Sequence, residues 1–477
     1  MSKYISSKII FLLVLFISTQ SFSQLRSTED VKNKEIFRNL NFSFGGLGMH
    51  ISPGLVGFVM ARNQISKKLK PKGLSTLEKR WGIHDDNGEM VGVFNEKYKK
   101  FEIGALGCVA CHSGKAAGQF YVGLGNKNID VGLLGRDTHN IELLWKAAPE
   151  LGSEEDKKEY RRIETAALNF SKDLADEQFT NLTQGLVPTS MIRKWFYRQA
   201  GKAIPVDMPR AAVKIPALYG YKEKRKVGQF CDGGGEGKLP GWGIAVELAA
   251  GQTAANVKQF VDKIAHAEDV IGDFLPPKYP FAIDKKLAEK GQVIFSQTCL
   301  KCHGAHEMDA DGLPIYTSPK LISWKVVKTD HDRLDQIEGE FLELVAMNPL
   351  KEIIQTADND HNSYFAPKLF GIWARFPYLH NASIPNMYSL LSNPDQRPKA
   401  FSLKAAGEKH RFDPVKLGLT SPESGSREEK RLMQKGARGN RYIYDVRRQG
   451  QSNQGHEFFL DLAHDEKMSV IEYLKTL

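Results

Sequence analysis

The amino-acid sequence predicts a mainly α-helical protein with long loops and insertions. The chain has 477 residues, 41% hydrophobic and 26% charged, which is typical of a globular protein with two or three domains. Apolar residues recur with helical periodicity in residues 157–174, 257–271, 287–295 and 466–477. Strand-like alternation is rare, and clusters of glycine and proline, such as residues 233–235 and 276–280, separate the helical segments.

The first 23 residues have the pattern of a secretory signal peptide. Lys3 and Lys8 precede an apolar run over residues 9–17, and Ser21-Phe22-Ser23 offers small residues for cleavage before Gln24. The alternative is an uncleaved membrane anchor, but the run is about half of the ~20 residues needed to cross a bilayer. We therefore expect a periplasmic or secreted protein with no membrane span after cleavage.

The formal net charge is +10, and the loss of Lys3 and Lys8 with the signal segment leaves about +8. The basic residues are spread along the chain, and no basic run with interleaved aromatic residues stands out. This distribution disfavours nucleic-acid binding and is compatible with steering toward an acidic partner protein.

Two Cys-x-x-Cys-His motifs carry the strongest chemical signal. They are Cys108-Val109-Ala110-Cys111-His112 and Cys299-Leu300-Lys301-Cys302-His303, and they use four of the five cysteines. In such a motif the two thiols bond to the vinyl groups of haem, and the adjacent histidine binds the iron. A zinc site or a thioredoxin-like cysteine pair does not require the adjacent histidine in both motifs. The sequence thus predicts two covalently attached haem c groups, with His112 and His303 as iron ligands.

The fifth cysteine, Cys231, is expected to be either a buried apolar thiol or a free reactive one. With a haem motif in each half, the predicted fold is two cytochrome c-like domains. Residues 24–280 would form the N-terminal haem c domain with insertions, and residues 281–477 the C-terminal one. A helix that starts near Asp284 would lead into the second motif.

The second axial ligand decides whether each iron is closed or open to small molecules. After His112 the next histidine is His139, and no methionine occurs between the motif and Met191, which favours an open iron. The second haem has many candidates: His306, Met308, His331, Met347, His361, His380, Met387, His410, Met433, His456, His464 and Met468. His306 and Met308 are too close behind the motif to reach the far face. His456 and His380 lie in loop sequences that could fold over the haem.

The segment FGIWARFPYLHNASIP, residues 370–385, resembles the C-terminal part of the dihaem cytochrome c peroxidase superfamily, nearest the branch of the dihaem rubber oxygenases. Residues 397–401, 411–418, 455–457 and 123–130 strengthen this resemblance. It implies two facing haem domains, in which the C-terminal haem passes electrons and the N-terminal haem meets peroxide or dioxygen. The methionine ligand of the peroxidases falls on the Gly455-His456 turn, so the resemblance assigns His456 to the iron of the second haem.

The resemblance also shows two departures from ordinary peroxidases. Asn128 stands where the peroxidatic haem uses a histidine, which argues against ordinary peroxidase activity and suits an iron left open for dioxygen. Where the oxygenase branch often has paired tryptophans between the haems, this chain has Ala217-Leu218-Tyr219-Gly220-Tyr221. Tyr219 or Tyr221 could connect the haems electronically, or both could be ordinary core aromatics.

Three functions follow as hypotheses. The first is an exported dihaem cytochrome that transfers electrons from a redox partner protein to an N-terminal haem reactive toward peroxide or dioxygen. The second is a pure electron carrier with two six-coordinate haems, and the third is a haem-dependent dioxygenase. No protein side chain is assigned a catalytic role.

The haem prediction is tested by the stoichiometry of covalent haem. We expect two haems per purified chain, and one haem in each of the double variants Cys108→Ser/Cys111→Ser and Cys299→Ser/Cys302→Ser, because each motif holds its own haem. Pyridine haemochrome absorbance per chain and haem staining of a denaturing gel measure this. A wild-type chain that does not stain would refute the assignment.

Overall fold

The computed structural model describes residues 49–51, 79–86, 89–98, 101–144, 153–175, 183–209, 211–224, 226, 230–235, 271, 274–317, 319–337, 339–348, 350–352, 354 and 361–477. The expected signal peptide, residues 1–23, and the expected helix 257–271, apart from Ile271, lie outside them. Below, the N-terminal segment means the described residues up to 271, and the C-terminal segment means those from 274 onward.

Helices are distributed over both segments. They are Cys108–Cys111, Val131–Leu144, Glu154–Ala175, Ser190–Gln199, Tyr221–Lys224, Lys285–Thr298, Leu300–His303, Trp324–Val327, Glu340–Ala346, Met387–Leu390, Arg427–Ala437 and His464–Leu474. Single 3-10 turns occur at Leu334–Gln336, Ile372–Ala374, Pro394–Gln396 and Lys409–Arg411. The helices expected at 157–174, 287–295 and 466–477 are confirmed, each within two or three residues at its start.

Short antiparallel sheets lie between the helices. Strands Met49–Ile51 and Val93–Tyr98 flank Phe101–Leu106 in a three-stranded sheet. The two-stranded pairs are Asp85–Asp86 with Glu89–Met90, Ser113–Ala116 with Gln119–Val122, Leu186–Pro188 with Ala212–Lys214, Lys320–Ser323 with Ser363–Ala366, Ala400–Ser402 with Ile443–Asp445, and Phe412–Asp413 with Gly418–Leu419. The sequence did not predict them, because strands of two to six residues show too little alternation to be recognised.

The helix that leads into the second haem motif is held by its cap and by the C-terminal helix. The Asp284 side chain accepts a hydrogen bond from the Leu287 N–H at 3.1 Å, which caps helix Lys285–Thr298. This helix packs along helix His464–Leu474, where Gly291 lies so close that an added Cβ would be 1.9 Å from Ser469 O. The helix therefore fixes where the second motif begins.

One hydrophobic core spans both segments. Tyr121, in the hairpin after the first motif, packs edge-on against the fully buried Trp373 with ring centroids 5.8 Å apart. Trp373 donates its indole N–H to Pro277 O at 2.7 Å, so the connection around residues 274–280 is itself packed against this core. Folding of either segment is thus coupled to folding of the other through shared apolar burial.

The polar stretch 421–438 contains helix Arg427–Ala437. Ser426 caps this helix, and the buried Glu429 accepts the N–H groups of Lys399 and Gly425. Leu432 anchors it against strands Ala400–Ser402 and Ile443–Asp445. Within the described part of the chain, no helix is long and apolar enough to cross a membrane.

The contact at Gly291 gives a stability prediction. Gly291→Ala should lower the free energy of unfolding by about 1–3 kcal/mol, because the new methyl group must push the two helices apart. The control Lys290→Ala changes an exposed neighbour on the same helix and should change stability by less than about 0.5 kcal/mol. Chemical denaturation of the two variants measures this, and equal stabilities would contradict the packing.

Candidate functional site

The first Cys-x-x-Cys-His motif forms one helical turn, Cys108–Cys111, directly after a strand and Gly107. Main-chain bonds fix the turn: the Asn126 N–H donates to Cys111 O, and the Gly123 N–H donates to His112 O, both at 2.8 Å. The buried Asn126 side chain also donates to Ala110 O at 3.1 Å. The loop after the motif therefore wraps back around it and orients His112.

The His112 ring is held through one of its two nitrogens. Nδ1 lies 2.9 Å from Pro216 O, which assigns the Nδ1–H as donor and leaves the Nε2 lone pair available. Burial lowers the pKa of His112 to about 4, so the imidazole is neutral near pH 7. A neutral imidazole with Nδ1 bonded to a backbone carbonyl has the tautomer and fixed orientation that a metal ligand needs.

The second motif repeats this arrangement. Nδ1 of His303 lies 2.7 Å from Pro367 O, and burial lowers the pKa of His303 as well. The Nε2 atom of the neighbouring His306 accepts a hydrogen bond from the Leu369 N–H at 2.8 Å. Because Leu369 follows Pro367 by two residues, this bond holds His306 on the same side as Pro367. This agrees with the expectation that His306 does not reach the far face of the haem.

The two prolines begin a sequence that occurs twice in the chain. Pro216-Ala217-Leu218-Tyr219-Gly220 and Pro367-Lys368-Leu369-Phe370-Gly371 share the pattern Pro-x-Leu-aromatic-Gly. Gly220 and Gly371 have φ of +70° and +64°, a region that glycine enters without strain. A helical turn follows each of them, Tyr221–Lys224 and Ile372–Ala374. The segments that receive the two histidines are thus equivalent in sequence and in conformation.

His456 faces His303 at a separation that fits one metal ion between them. The ring centroids are 6.3 Å apart, with an interplanar angle of 56°. Metal–imidazole bonds of about 2 Å place the centroids of two imidazoles on opposite sides of one metal about 6 Å apart. The donor set and its spacing therefore fit a haem iron held from both sides.

Buried polar contacts hold the His456 turn in place. The His456 N–H donates to Val327 O at 2.7 Å, and His456 itself has φ of +54°. The fully buried guanidinium of Arg397 donates to Asn453 O at 2.5 Å and to Gly455 O at 2.8 Å. Burial lowers the pKa of His456 to about 3, so this imidazole is also neutral.

Four of the competing candidates for the second haem are engaged elsewhere or exposed. His380 stacks on Tyr364 with centroids 4.4 Å apart, and its Nε2 lies 3.3 Å from the Tyr364 hydroxyl. Nδ1 of His331 is 2.7 Å from Asp335 Oδ1. Met308 and Met347 are 47% and 73% exposed.

The position opposite His112 differs from the position opposite His303. Within the described residues, no histidine ring stands opposite His112 as His456 stands opposite His303. Asn128, at the position of the peroxidatic histidine in the resemblance, accepts the Ala406 N–H at 3.2 Å and the Gln184 side chain at 3.4 Å. Its side chain therefore joins the two segments.

The tyrosines of residues 217–221 are core residues in the described structure. Tyr219 is 8% exposed, donates its hydroxyl to Val122 O at 3.3 Å and packs beside Gly123, while Tyr221 is buried. Their role as an electronic connection stays a prediction.

Comparison with known proteins places a cytochrome c-like domain in the C-terminal segment. A family model described as RoxA-like, cytochrome c-like matches residues 363–402, which include Pro367 and Arg397. Cytochrome c domains carry covalent haem c, so the match implies covalent haem c in this part of the chain.

Two curated proteins of Sinorhizobium fredii are similar over longer stretches. The uncharacterized protein y4iM is 28% identical over 251 residues, which cover 43% of this chain and 52% of that protein. The uncharacterized protein y4iJ is 39% identical over 124 residues, 24% of this chain and 18% of that protein. The matched regions thus span about a fifth and about half of these relatives.

The facing histidines lead to a spectroscopic prediction. His456→Ala should convert one haem to a high-spin form and leave the spectrum of the other unchanged, because that iron loses an axial ligand. The ultraviolet–visible and electron paramagnetic resonance spectra of the oxidised protein measure this. His410→Ala, which removes an exposed histidine, is the control. An unaltered spectrum in His456→Ala would contradict the assignment and redirect it to His380.

Proposed function

We propose that this protein is an exported dihaem c-type cytochrome of the dihaem peroxidase-like superfamily, nearest its rubber-oxygenase-like branch. Its two cytochrome c-like domains would hold haem through Cys108, Cys111 and His112 and through Cys299, Cys302 and His303. His303 and His456 would hold a haem that supplies electron transfer, and His112 would hold a haem that supplies an iron open to dioxygen or peroxide. The observation that carries the proposal is the inequality of two otherwise equivalent histidines: His303 faces His456, and His112 faces no such ring among the described residues.

Haem c, when bound, supplies an iron that exchanges single electrons and, where one axial position is open, binds small oxidants. His303 and His456 would hold their iron between two neutral imidazoles, each fixed by the backbone. These backbone contacts would hold both imidazoles in the same place in either oxidation state of the iron. This favours electron transfer over ligand exchange.

A packed route joins the two histidine-bearing segments. The ring of Tyr316 lies directly on Gly220, where an added Cβ would be 2.3 Å from Tyr316 Cδ1. Tyr316 also packs edge-on against Phe370 at 5.2 Å. Gly220 and Phe370 belong to the segments whose prolines receive His112 and His303. Electrons would therefore pass between the two sites through directly packed side chains.

The side chain of Asn128 helps to distinguish dioxygen chemistry from peroxide chemistry. Its hydrogen bonds to Ala406 and Gln184 keep it in the contact between the segments, and an amide has no titratable proton to offer near pH 7. This supports dioxygen over the acid–base chemistry of ordinary peroxidases. Together with the RoxA-like match at residues 363–402, it favours a haem-dependent dioxygenase acting on an apolar substrate as the second candidate function.

The formal net charge, +10 for the full chain and about +8 without Lys3 and Lys8, supports an acidic redox partner as the electron source. Association with such a partner would weaken as ionic strength rises, because exposed charges are screened over about 10 Å at 0.1 M salt.

Binding of carbon monoxide to the reduced protein tests the division of roles. We expect the wild type to bind one carbon monoxide molecule per two haems. His456→Ala should bind two carbon monoxide molecules per two haems, because the substitution opens the second iron. Carbon monoxide difference spectra give the stoichiometry, and His410→Ala should match the wild type.

A wild type that binds no carbon monoxide would instead identify a pure electron carrier. If one haem does bind it, oxygen-electrode and peroxide-consumption assays with reduced protein separate dioxygen from peroxide chemistry.

A further inference from the structure

Four cationic side chains lie together between the two haem-bearing segments, and of these Lys127 is buried and the other three are half-buried. Lys127, Lys214, Lys224 and Arg375 come from both segments, and burial lowers the pKa of each, that of Lys127 to about 7. We call these four residues the buried cation cluster. Cations gathered in a low-dielectric interior repel one another and destabilise the fold unless anions or carbonyl dipoles compensate them.

Two members of the cluster are compensated by carbonyl groups. Lys127 Nζ donates to Lys115 O and Ala374 O, both at 3.0 Å. Lys214 Nζ donates to Arg375 O at 2.9 Å and Pro377 O at 2.7 Å. These two lysines therefore have a structural role: they attach the N-terminal segment to the turn at residues 374–377.

The other two members are left with little compensation. Arg375 donates from Nη1 to Lys368 O at 2.9 Å, and no ion pair with a carboxylate occurs among the described residues. Lys224 Nζ lies 5.4 Å from the centre of the Phe365 ring. The acid near it, Asp232, forms an ion pair with Arg333. Both cations thus retain the capacity to bind an anion.

Lys224 and Arg375 occupy equivalent places in the repeat. Each lies four residues after the glycine of its Pro-x-Leu-aromatic-Gly segment, Gly220 and Gly371. The proline at the start of each segment accepts the bond from a motif histidine. The repeat therefore supplies both halves with a histidine anchor and, eight residues after the proline, a cation.

A second unsatisfied group lies beside Arg375. The Tyr316 hydroxyl is buried and has no hydrogen-bond partner within the described residues. Tyr316 lies close enough to Arg375 for the two side chains to interact electrostatically. A buried hydroxyl without a partner is destabilising, and a carboxylate can accept hydrogen bonds from a phenol and a guanidinium together.

We propose that Lys224 and Arg375 are carboxylate-binding residues for the haem propionates, each for the haem of its own motif, and that Tyr316 donates to the same carboxylate as Arg375. Each haem carries two propionates, so the groups expected at the two motifs bring the anions that the buried cation cluster lacks. This inference rests on the proposed binding of two haems and adds residue roles that the family match does not give.

The test compares the midpoint potentials of the two haems in holoprotein variants. Arg375→Gln should lower the potential of the haem at His303, and Lys224→Gln that of the haem at His112, because loss of a nearby cation favours the ferric iron. The expected effect is about tenfold in the equilibrium constant for reduction, as for a unit charge roughly 10 Å from the iron at an effective dielectric near 20. Spectroelectrochemistry separates the haems, since only one binds carbon monoxide.

Conservative variants separate charge from packing. Arg375→Lys and Lys224→Arg should keep the wild-type potentials, and Tyr316→Phe, which retains the ring on Gly220, should give a smaller shift at the haem of His303 only. Lys409→Gln, which removes an exposed cation, is the control and should shift neither haem. Acetate added to the wild type at constant ionic strength should also shift neither, because covalently delivered propionates already fill the site.

Several outcomes would overturn the inference. Equal shifts of both haems in Arg375→Gln, or potentials of Arg375→Lys that match Arg375→Gln, would show a general structural effect. A shift caused by acetate would show that the site takes a diffusible carboxylate. Haem content and carbon monoxide stoichiometry, measured on the same samples, show whether the proposed function itself has failed. If Arg375→Gln does not fold, the potential of Tyr316→Phe still tests whether a carboxylate binds beside Arg375, because both side chains are proposed to donate to the same carboxylate.

Discussion

The site depends on one interaction that occurs twice, the hydrogen bond from a motif histidine to a proline carbonyl. His112 bonds to Pro216 across 104 residues, and His303 bonds to Pro367 across 64 residues. Each bond selects the tautomer of its imidazole and directs the other nitrogen toward the space where haem binds. Each also ties a motif to a distant segment, so neither histidine is oriented until the tertiary structure forms. In both halves the carbonyl that accepts this bond belongs to the proline of a Pro-x-Leu-aromatic-Gly segment, and the two segments have the same backbone conformation at their glycines.

The two halves then diverge on the far side of the histidines. Opposite His303, the Gly455-His456 turn is fixed by the buried guanidinium of Arg397 and by the bond to Val327 O. These contacts set the histidine in place before any metal binds, which limits the conformational entropy lost on coordination. Near His112, Asn128 is instead committed to Ala406 and Gln184. The Pro-x-Leu-aromatic-Gly segment thus orients a motif histidine in both halves. A second histidine faces that histidine in the C-terminal half, whereas the surroundings are different in the N-terminal half.

The two segments are joined by polar and ionic contacts as well as by the shared apolar core. Arg441 pairs with the buried Asp130, and Lys127 and Lys214 reach carbonyls of the turn at residues 374–377. Under the proposed propionate binding, anionic groups between the segments would stabilise this contact further. Haem attachment and the assembly of the two segments would then be coupled.

The sequence by itself determined the local features. The two Cys-x-x-Cys-His motifs, the cap at Asp284 and the helices around residues 157–174, 287–295 and 466–477 depend on neighbouring residues, and their patterns are visible in one dimension. His456 could be nominated only through a family resemblance, as one of many candidates. The tertiary structure decided which histidine faces His303 and that His380 stacks on Tyr364 instead. It also placed Lys224 and Arg375 between the segments with no carboxylate ion pair among the described residues. Those facts depend on contacts between residues far apart in the chain, and no local pattern encodes such distances.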